Sequence, residues 1–302
     1  MAGYIGNKAV NLSTSGADIS GTANLDIVDI DGAVNMATTA LVTGVLTANG
    51  GAVFNESSAD VDFRVESNGN ANMLFVDGGA NAVGIGTGSP LRQLSLQNSS
   101  SAEISLVSGT SSNCSILMGD GTTGSDFYRG YIQYQNSNDS MLFATSAGTK
   151  MTIDSTGAVT MPAQPAFLAQ PASTQENIPI NSTTTVAFGT ERFDQGADFS
   201  ANVFSAPVTG RYQLNVLLRL DNWDTAATYY QAYINTSNRV YYITIAAPLS
   251  GGGTDLNYFT MSASVLADMD ASDDAWISIF QSGGTAQTDI HAESFFSGYL
   301  VA

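Results

Sequence analysis

Apolar and polar positions alternate most cleanly in the last third of the chain. Tyr212, Leu214, Val216 and Leu218 fall on one face of residues 211–218, with Arg211, Gln213, Asn215 and Leu217 on the other. Period two over that length predicts a half-buried strand. Gly210 predicts a tight turn before it. Pro207, which has no N–H to donate, belongs just outside the ladder. Residues 275–281 alternate in the same way, as do Phe296, Gly298 and Leu300. Strands are predicted at 166–170, 184–189, 211–220, 228–235, 239–246, 256–266, 275–281 and 293–301, with loops at 222–228, 250–255 and 268–274.

Upstream the pattern changes. Between about 25 and 54 the apolar residues come in short pieces, such as Leu25, Ile27, Val28 and Ile30, then Leu41 with Val42, then Val53 with Phe54. Gly, Asn, Asp or Thr separates each piece from the next. Isolated two-strand units are marginal in water, so such pieces need other copies to stack against. A weak internal repeat agrees. Residues 30–37 echo 155–162, and Met73-Leu-Phe-Val76 echoes Met141-Leu-Phe-Ala144. Residues 1–25 are small and polar, too poor in apolar side chains to bury a core alone. Pro162, Pro165 and Pro171 mark an extended joint, and a domain boundary is placed near Met161. No stretch shows an apolar period of about 3.6, and no heptads occur.

Composition narrows the function. Only 12% of residues are charged, and Asp plus Glu number 27 against 9 Lys plus Arg, giving a formal charge of −18. No basic stripe is available for phosphates, so nucleic acid is not expected as a partner. The longest apolar runs fall short of the roughly 18 residues a membrane span needs, and the first residues lack the apolar core of a signal peptide. Assembly in a cytoplasm is expected, without membrane insertion. Cys114 is the single cysteine, which excludes an intrachain disulfide.

Four groups invite chemistry. Gly84-Ile-Gly86-Thr-Gly88 has the glycines of a nucleotide loop, but Ser89-Pro90 follows in place of a helix, so turn glycines are expected. His291 is the only histidine, too few for a His-rich metal site, and no nucleophile elbow accompanies it; a loop or interface role is expected. Carboxylate pairs could hydrolyse a surface polysaccharide, but no long β-helix is present to host them. Asp268, Asp270, Asp273 and Asp274 form the densest carboxylate cluster, a candidate Ca²⁺ site by ligand type, although a solvated acidic turn fits the same residues. No other cofactor is expected. Trp223, Tyr229 and Tyr230 could stack on sugar rings or fill a core.

Two resemblances add to this. Phe204-x-Ala206-Pro207-x-x-Gly210-x-Tyr212-x-Leu214 resembles the signature of the globular heads of the first complement component, members of the trimeric jelly-roll group that includes tumour necrosis factor. Phe167-Leu-Ala169 resembles the first strand of those heads and Ser294-Phe-Phe-Ser-Gly-Tyr-Leu300 the closing one. The resemblance covers about residues 163–302 and implies a ten-stranded sandwich that assembles as a trimer, without implying a shared ligand. Residues 55–162 are similar to stalk modules of bacteriophage fibres, marine ones especially. The shared words are Asp60-Val-Asp-Phe-Arg-Val-Glu-Ser67, Leu74-Phe-Val-Asp77, Val83-Gly-Ile-Gly-Thr-Gly-Ser-Pro90, Arg129-Gly-Tyr-Ile-Gln-Tyr134, Ser140-Met-Leu-Phe143 and Met151-Thr-Ile-Asp-Ser-Thr-Gly157. They imply a trimeric shaft between a virion anchor and a terminal head.

The combined expectation is an all-β chain in three parts: a virion-attachment segment at 1–25, a repetitive β stalk at 26–162, and a jelly-roll head at 163–302. The expected role is a homotrimeric tail fibre in the virion, adhesive and not enzymatic. A capsid fibre and a glycan depolymerase are the rival readings. Residues 1–25 would bind a tail or capsid protein. The head would meet a host glycan or outer-membrane protein through Trp223, Thr225, Thr228 and Asp255.

Overall fold

The computed structural model describes residues 34, 36, 40–54, 57–247 and 254–302. The proposed attachment segment, most of the 30–37 repeat word and residues 250–253 lie outside them. The chain divides into two compact units, Met1–Glu103 and Ile104–Ala302. The region read as stalk is thereby shared between the two. Apart from one 3-10 turn, Gly124–Tyr128, all regular structure among the described residues is β. No helix there is long and apolar enough to cross a membrane.

The first unit holds one four-stranded sheet in chain order: β1 (Phe63–Ser67), β2 (Asn70–Asp77), β3 (Ala82–Ile85) and β4 (Leu94–Leu96). The Gly84–Gly88 run belongs to it, and its glycines serve close packing. A Cβ on Gly84 would sit 2.3 Å from the Thr87 carbonyl oxygen, and one on Gly86, at φ 78°, 2.1 Å from that of Gln97. No helix follows, so nothing there forms a phosphate cradle.

The second unit begins with a five-stranded meander: β5 (Asn113–Met118), β6 (Gly130–Gln135), β7 (Ser140–Thr145), β8 (Gly148–Ile153) and β9 (Val159–Thr160). The two echoing words now acquire a structural meaning. Met73–Val76 lies in β2 and Met141–Ala144 in β7, each the middle strand between two antiparallel neighbours.

A sandwich follows, built from β10 (Ala166–Gln170), β11 (Thr183–Thr185), β12 (Thr190–Gln195), β13 (Phe199–Ser200), β14 (Val203–Ser205), β15 (Gly210–Trp223), β16 (Tyr229–Thr236), β17 (Val240–Ala246), β18 (Leu256–Met269), β19 (Asp274–Ser282), β20 (Asp289–Ile290) and β21 (Phe295–Leu300). One sheet runs β12-β10-β21-β15-β18 with β20 beside β15. The other runs β13-β14-β19-β16-β17 with β11 beside β19. All of its strand pairs are antiparallel. The ten expected strands are joined by two-residue ladders at β13 and β20.

The alternation read from sequence is what builds the core. Tyr212, Leu214, Val216, Leu218 and Leu220 all point from β15 into the space between the sheets. There they meet Phe167 from β10, Phe296 from β21, and Ile277 and Ile279 from β19. Phe167 stacks on Phe204 at 4.6 Å and on Phe199 at 5.1 Å, with Phe296 edge-on at 5.0 Å. Burying each such side chain is worth roughly 1.5–3 kcal/mol, so this cluster dominates the sandwich. Phe193, in β12, instead faces outward.

The signature residues each have a packing reason. The Tyr212 hydroxyl donates to the Val208 carbonyl at 2.7 Å, closing the turn that Pro207 opens. A Cβ on Gly210 would lie 2.6 Å from Leu300 Cδ1. Gly298 sits between β10 and β15, where a Cβ would meet Phe167 and Leu214 side-chain atoms, each at 2.8 Å. Gly298→Ala should therefore overpack the core and destabilise the sandwich by about 1–3 kcal/mol. Denaturant unfolding followed by tryptophan fluorescence measures it; an unchanged midpoint would remove this account of the glycine. Residues 163–302 expressed alone should give one cooperative transition, because both sheets and the core cluster lie within them. A soluble fragment without near-ultraviolet circular dichroism would place the folding boundary elsewhere.

Candidate functional site

The ladder between β15 and β18 defines the two ends of the sandwich. Gly210 pairs with Met269 at one end and Trp223 with Leu256 at the other. Fourteen residues at about 3.3 Å each separate the ends by roughly 45 Å. The chain enters at the Gly210 end, where the Leu300 amide donates to the Pro165 carbonyl at 3.1 Å. Loops 222–228 and 254–255 lie at the opposite, distal end. Loop 268–274 lies at the base, the end opposite the other two.

At the distal end the backbone departs from a regular strand. Asn222 takes φ 52°, a conformation that Asn tolerates better than most residues. The inward alternation then resumes one residue late, and Trp223 turns into the core with 0% exposure. Its ring stacks on Tyr230 at 3.8 Å and leans on Phe259 at 4.3 Å. Its Nε1 donates to the Ala247 carbonyl at 3.4 Å. Trp223 and Tyr230 are therefore core residues, and the expectation that Trp223 meets a receptor is corrected: no face of the indole is free.

Asp224, which sequence reasoning passed over, organises the loop. It is 2% exposed. Its Oδ1 accepts the Ala226 amide at 2.8 Å, while Oδ2 accepts the Thr285 amide and Gln281 Nε2. The signal for it was the side chain's bond to the amide two residues on, a common Asp habit in turns. Beside it the Tyr230 hydroxyl and Thr288 Oγ1 lie 2.7 Å apart. Burial pushes the Tyr230 phenol up to about 12.

Thr225 and Asp255 are brought together as expected of one surface. The Thr225 amide and hydroxyl both donate to Asp255 Oδ1 at 3.0 Å, and Gln287 Nε2 donates to Oδ2 at 2.8 Å. The Gln287 bond, followed by those from Thr225, holds the Asp255 carboxyl below its ordinary range. Thr225 is nearly buried, whereas Thr228 and Asp255 remain exposed.

The four carboxylates at the base do not converge. Asp268 pairs with Arg239 Nη2 at 2.7 Å, Asp273 Oδ2 accepts Asn238 Nδ2 and the Asp270 amide, and Asp274 Oδ1 accepts Ser205 Oγ at 2.5 Å. Among the described residues no group of three or more His, Cys, Asp or Glu side chains could hold a metal ion. The carboxylates of Asp268, Asp273 and Asp274 each serve the turn or its neighbours, as a solvated acidic turn requires.

A second group, of which the sequence reading held only His291, lies on the outward face near the distal end. Arg219 Nε donates to Asp221 Oδ1 at 3.2 Å, and Nη1 pairs with Glu293 Oε2. The guanidinium carbon sits 4.9 Å from the centre of the Tyr258 ring. His291 completes the group, with Nε2 4.0 Å from Asp221 Oδ2 and Nδ1 accepting the Glu293 amide at 3.1 Å. Tyr258 is legible in hindsight, since Phe259 and Met261 alternate inward and leave it outside.

Two pH responses follow. The folded Tyr230 holds its proton more tightly than the unfolded chain, so its stabilisation is full below about pH 10 and is lost as pH rises toward about 12. Tyr230→Phe should flatten that alkaline loss in denaturant titrations. The depressed Asp255 has the opposite sense: its contribution is present above the ordinary carboxylate range and is lost as pH falls through its lowered value. Protection of the Thr225 amide, its exchange relative to an unstructured amide at the same pH, should fall in acid and, in Asp255→Asn, already at neutral pH. Equal exchange in the variant and the parent would remove the clasp.

The C1q domain family model matches residues 166–301. Among solved structures, the globular domain of zebrafish complement 1qA is similar at 16% identity, covering 46% of this chain and 98% of its own, with a TM-score of 0.33. Murine APRIL is similar at 11% identity, covering 46% of this chain and 99% of its own, with a TM-score of 0.34. No curated protein matches. Residues 166–301, the span that the C1q domain model matches, form a jelly-roll sandwich.

Proposed function

We propose that the chain is the homotrimeric fibre protein of a bacteriophage, with residues 1–25 fixed to the virion and the sandwich presented as an adhesive head. The observation that carries the reading is the outward face of the β15 sheet. Phe193, Tyr299 and Leu266 stand there 52%, 49% and 52% exposed, alongside the partly buried Leu168, Leu217 and Phe295. These residues occupy neighbouring positions across β12, β10, β21, β15 and β18. Large apolar side chains exposed on one sheet face, set among Gln213, Asn215, Ser264 and Ser297, are what an association surface between copies would cover. Copies of the same chain are its occupant, in keeping with the short apolar stalk pieces that no single chain can close. The fibre-like words of residues 55–162 support the virion role. Binding, not catalysis, fits a distal end whose two loop carboxylates, Asp224 and Asp255, are both committed to loop hydrogen bonds.

The distal end, away from the point of chain entry, is the part that would meet a host surface. Three copies of it would convert a weak single contact into useful avidity. Sedimentation of the full chain at micromolar concentration should give a trimer, and Phe193→Glu with Leu266→Glu should shift it toward monomer. A folded monomer of the unaltered chain would overturn the assembly. Thr228→Ala with Asp255→Asn, which spares Trp223 and Asp224, should lower adsorption to host cells by about tenfold or more while the trimer persists. Unchanged adsorption would move recognition off these loops.

A further inference from the structure

We infer that Tyr258 and the side chains around it form a binding subsite for a neutral pyranose sugar. The inference rests on the adhesive reading of the head and names the chemistry of its ligand. Tyr258 is 66% exposed, so a ring face is open to a ligand. It is also positioned. One side of its ring carries the Arg219 guanidinium at 4.9 Å, which Asp221 and Glu293 fix in turn. A platform held in place before the ligand arrives gives up less freedom on binding. The face of an aromatic ring suits the C–H face of a pyranose, and nearby carboxylates accept hydrogen bonds from its hydroxyls. Glu293, which is largely exposed, and Asp221 supply those acceptors.

Charge selects the sugar. Arg219 is the cation of the cluster, and two carboxylates already neutralise it. A sialic acid, sulfate or phosphate group would find no uncommitted positive partner and two negative ones. A neutral hexose carries no such penalty. Position argues against a second copy of the chain as the occupant. The nearest member of that face, Leu217, pairs with Ser262, four residues along β18 from Tyr258 and roughly 13 Å away, and the row at Asp221 and Tyr258 is polar.

The test uses the full chain and three probes: methyl β-galactopyranoside, methyl β-glucopyranoside and N-acetylneuraminic acid. Saturation-transfer NMR on the parent should show at least one neutral glycoside bound saturably through its ring C–H protons, and no N-acetylneuraminic acid bound. Tyr258→Ala should weaken that binding by about tenfold or more, and Tyr258→Phe should keep it within about twofold. Sedimentation should be the same for all three proteins. The subsite is overturned if neither neutral glycoside binds, if only the acidic sugar binds, if Tyr258→Ala binds as well as the parent, or if Tyr258→Ala dissociates the assembly. Cell adsorption measured on the same proteins separates the two readings. Adsorption that survives a failed subsite leaves adhesion standing on other residues.

Discussion

The sandwich depends on one constraint, the inward placement of every second residue of β15. Five large side chains from a single strand, Tyr212 to Leu220, form the floor on which both sheets pack. A one-residue slip would send all five to the opposite face, so register is specified strongly. The glycines at 210 and 298 are consequences of that floor: they are where a neighbouring strand or side chain comes too close for a Cβ. The ladder with β18 inherits the register, and with it the location of both ends of the domain.

At the distal end the same constraint is released by one residue. Asn222 reverses the alternation, Trp223 closes the core like a lid on its last layer, and Asp224 gathers the amides of two loops. The surface beyond is then left to hydroxyls, amides and carboxylates. The clasp of Thr225, Asp255 and Gln287 shapes the loop but holds little of the core, so its loss would be local. Arg219 and Tyr258 belong to the outward rows of the same two strands, which is why an aromatic ring stands exposed directly behind a buried tryptophan.

Much of this was legible in the sequence where periodicity was strong. The alternation of 211–218, the glycine turn before it and the closing Phe295–Leu300 strand each follow from spacing and residue type, and each is present in the fold. Where periodicity was weak the sequence was silent. Thr190–Gln195 pairs along the edge of a sheet and buries little, so its residues show no two-fold rhythm to read. Asn222-Trp223-Asp224 reads as a loop because Asn and Asp flank it. Only the positive φ at Asn222 explains why the tryptophan lies inside. The acidic run at 268–274 shows the converse: a dense cluster of ligand-type residues whose oxygens are spent on a turn.

The scarcity of cations near the distal end has a consequence for encounter. A body carrying a formal charge of −18 is repelled by an anionic cell envelope before any loop touches it. Dissolved ions shorten that repulsion, from a reach of about 30 Å at 0.01 M to about 8 Å at 0.15 M and about 3 Å at 1 M. Contacts made by stacking and by neutral hydrogen bonds are hardly weakened over the same range. On the adhesive reading proposed above, a chain of this charge would reach an anionic target faster in brine than in fresh water, the reverse of a binder steered by opposite charge.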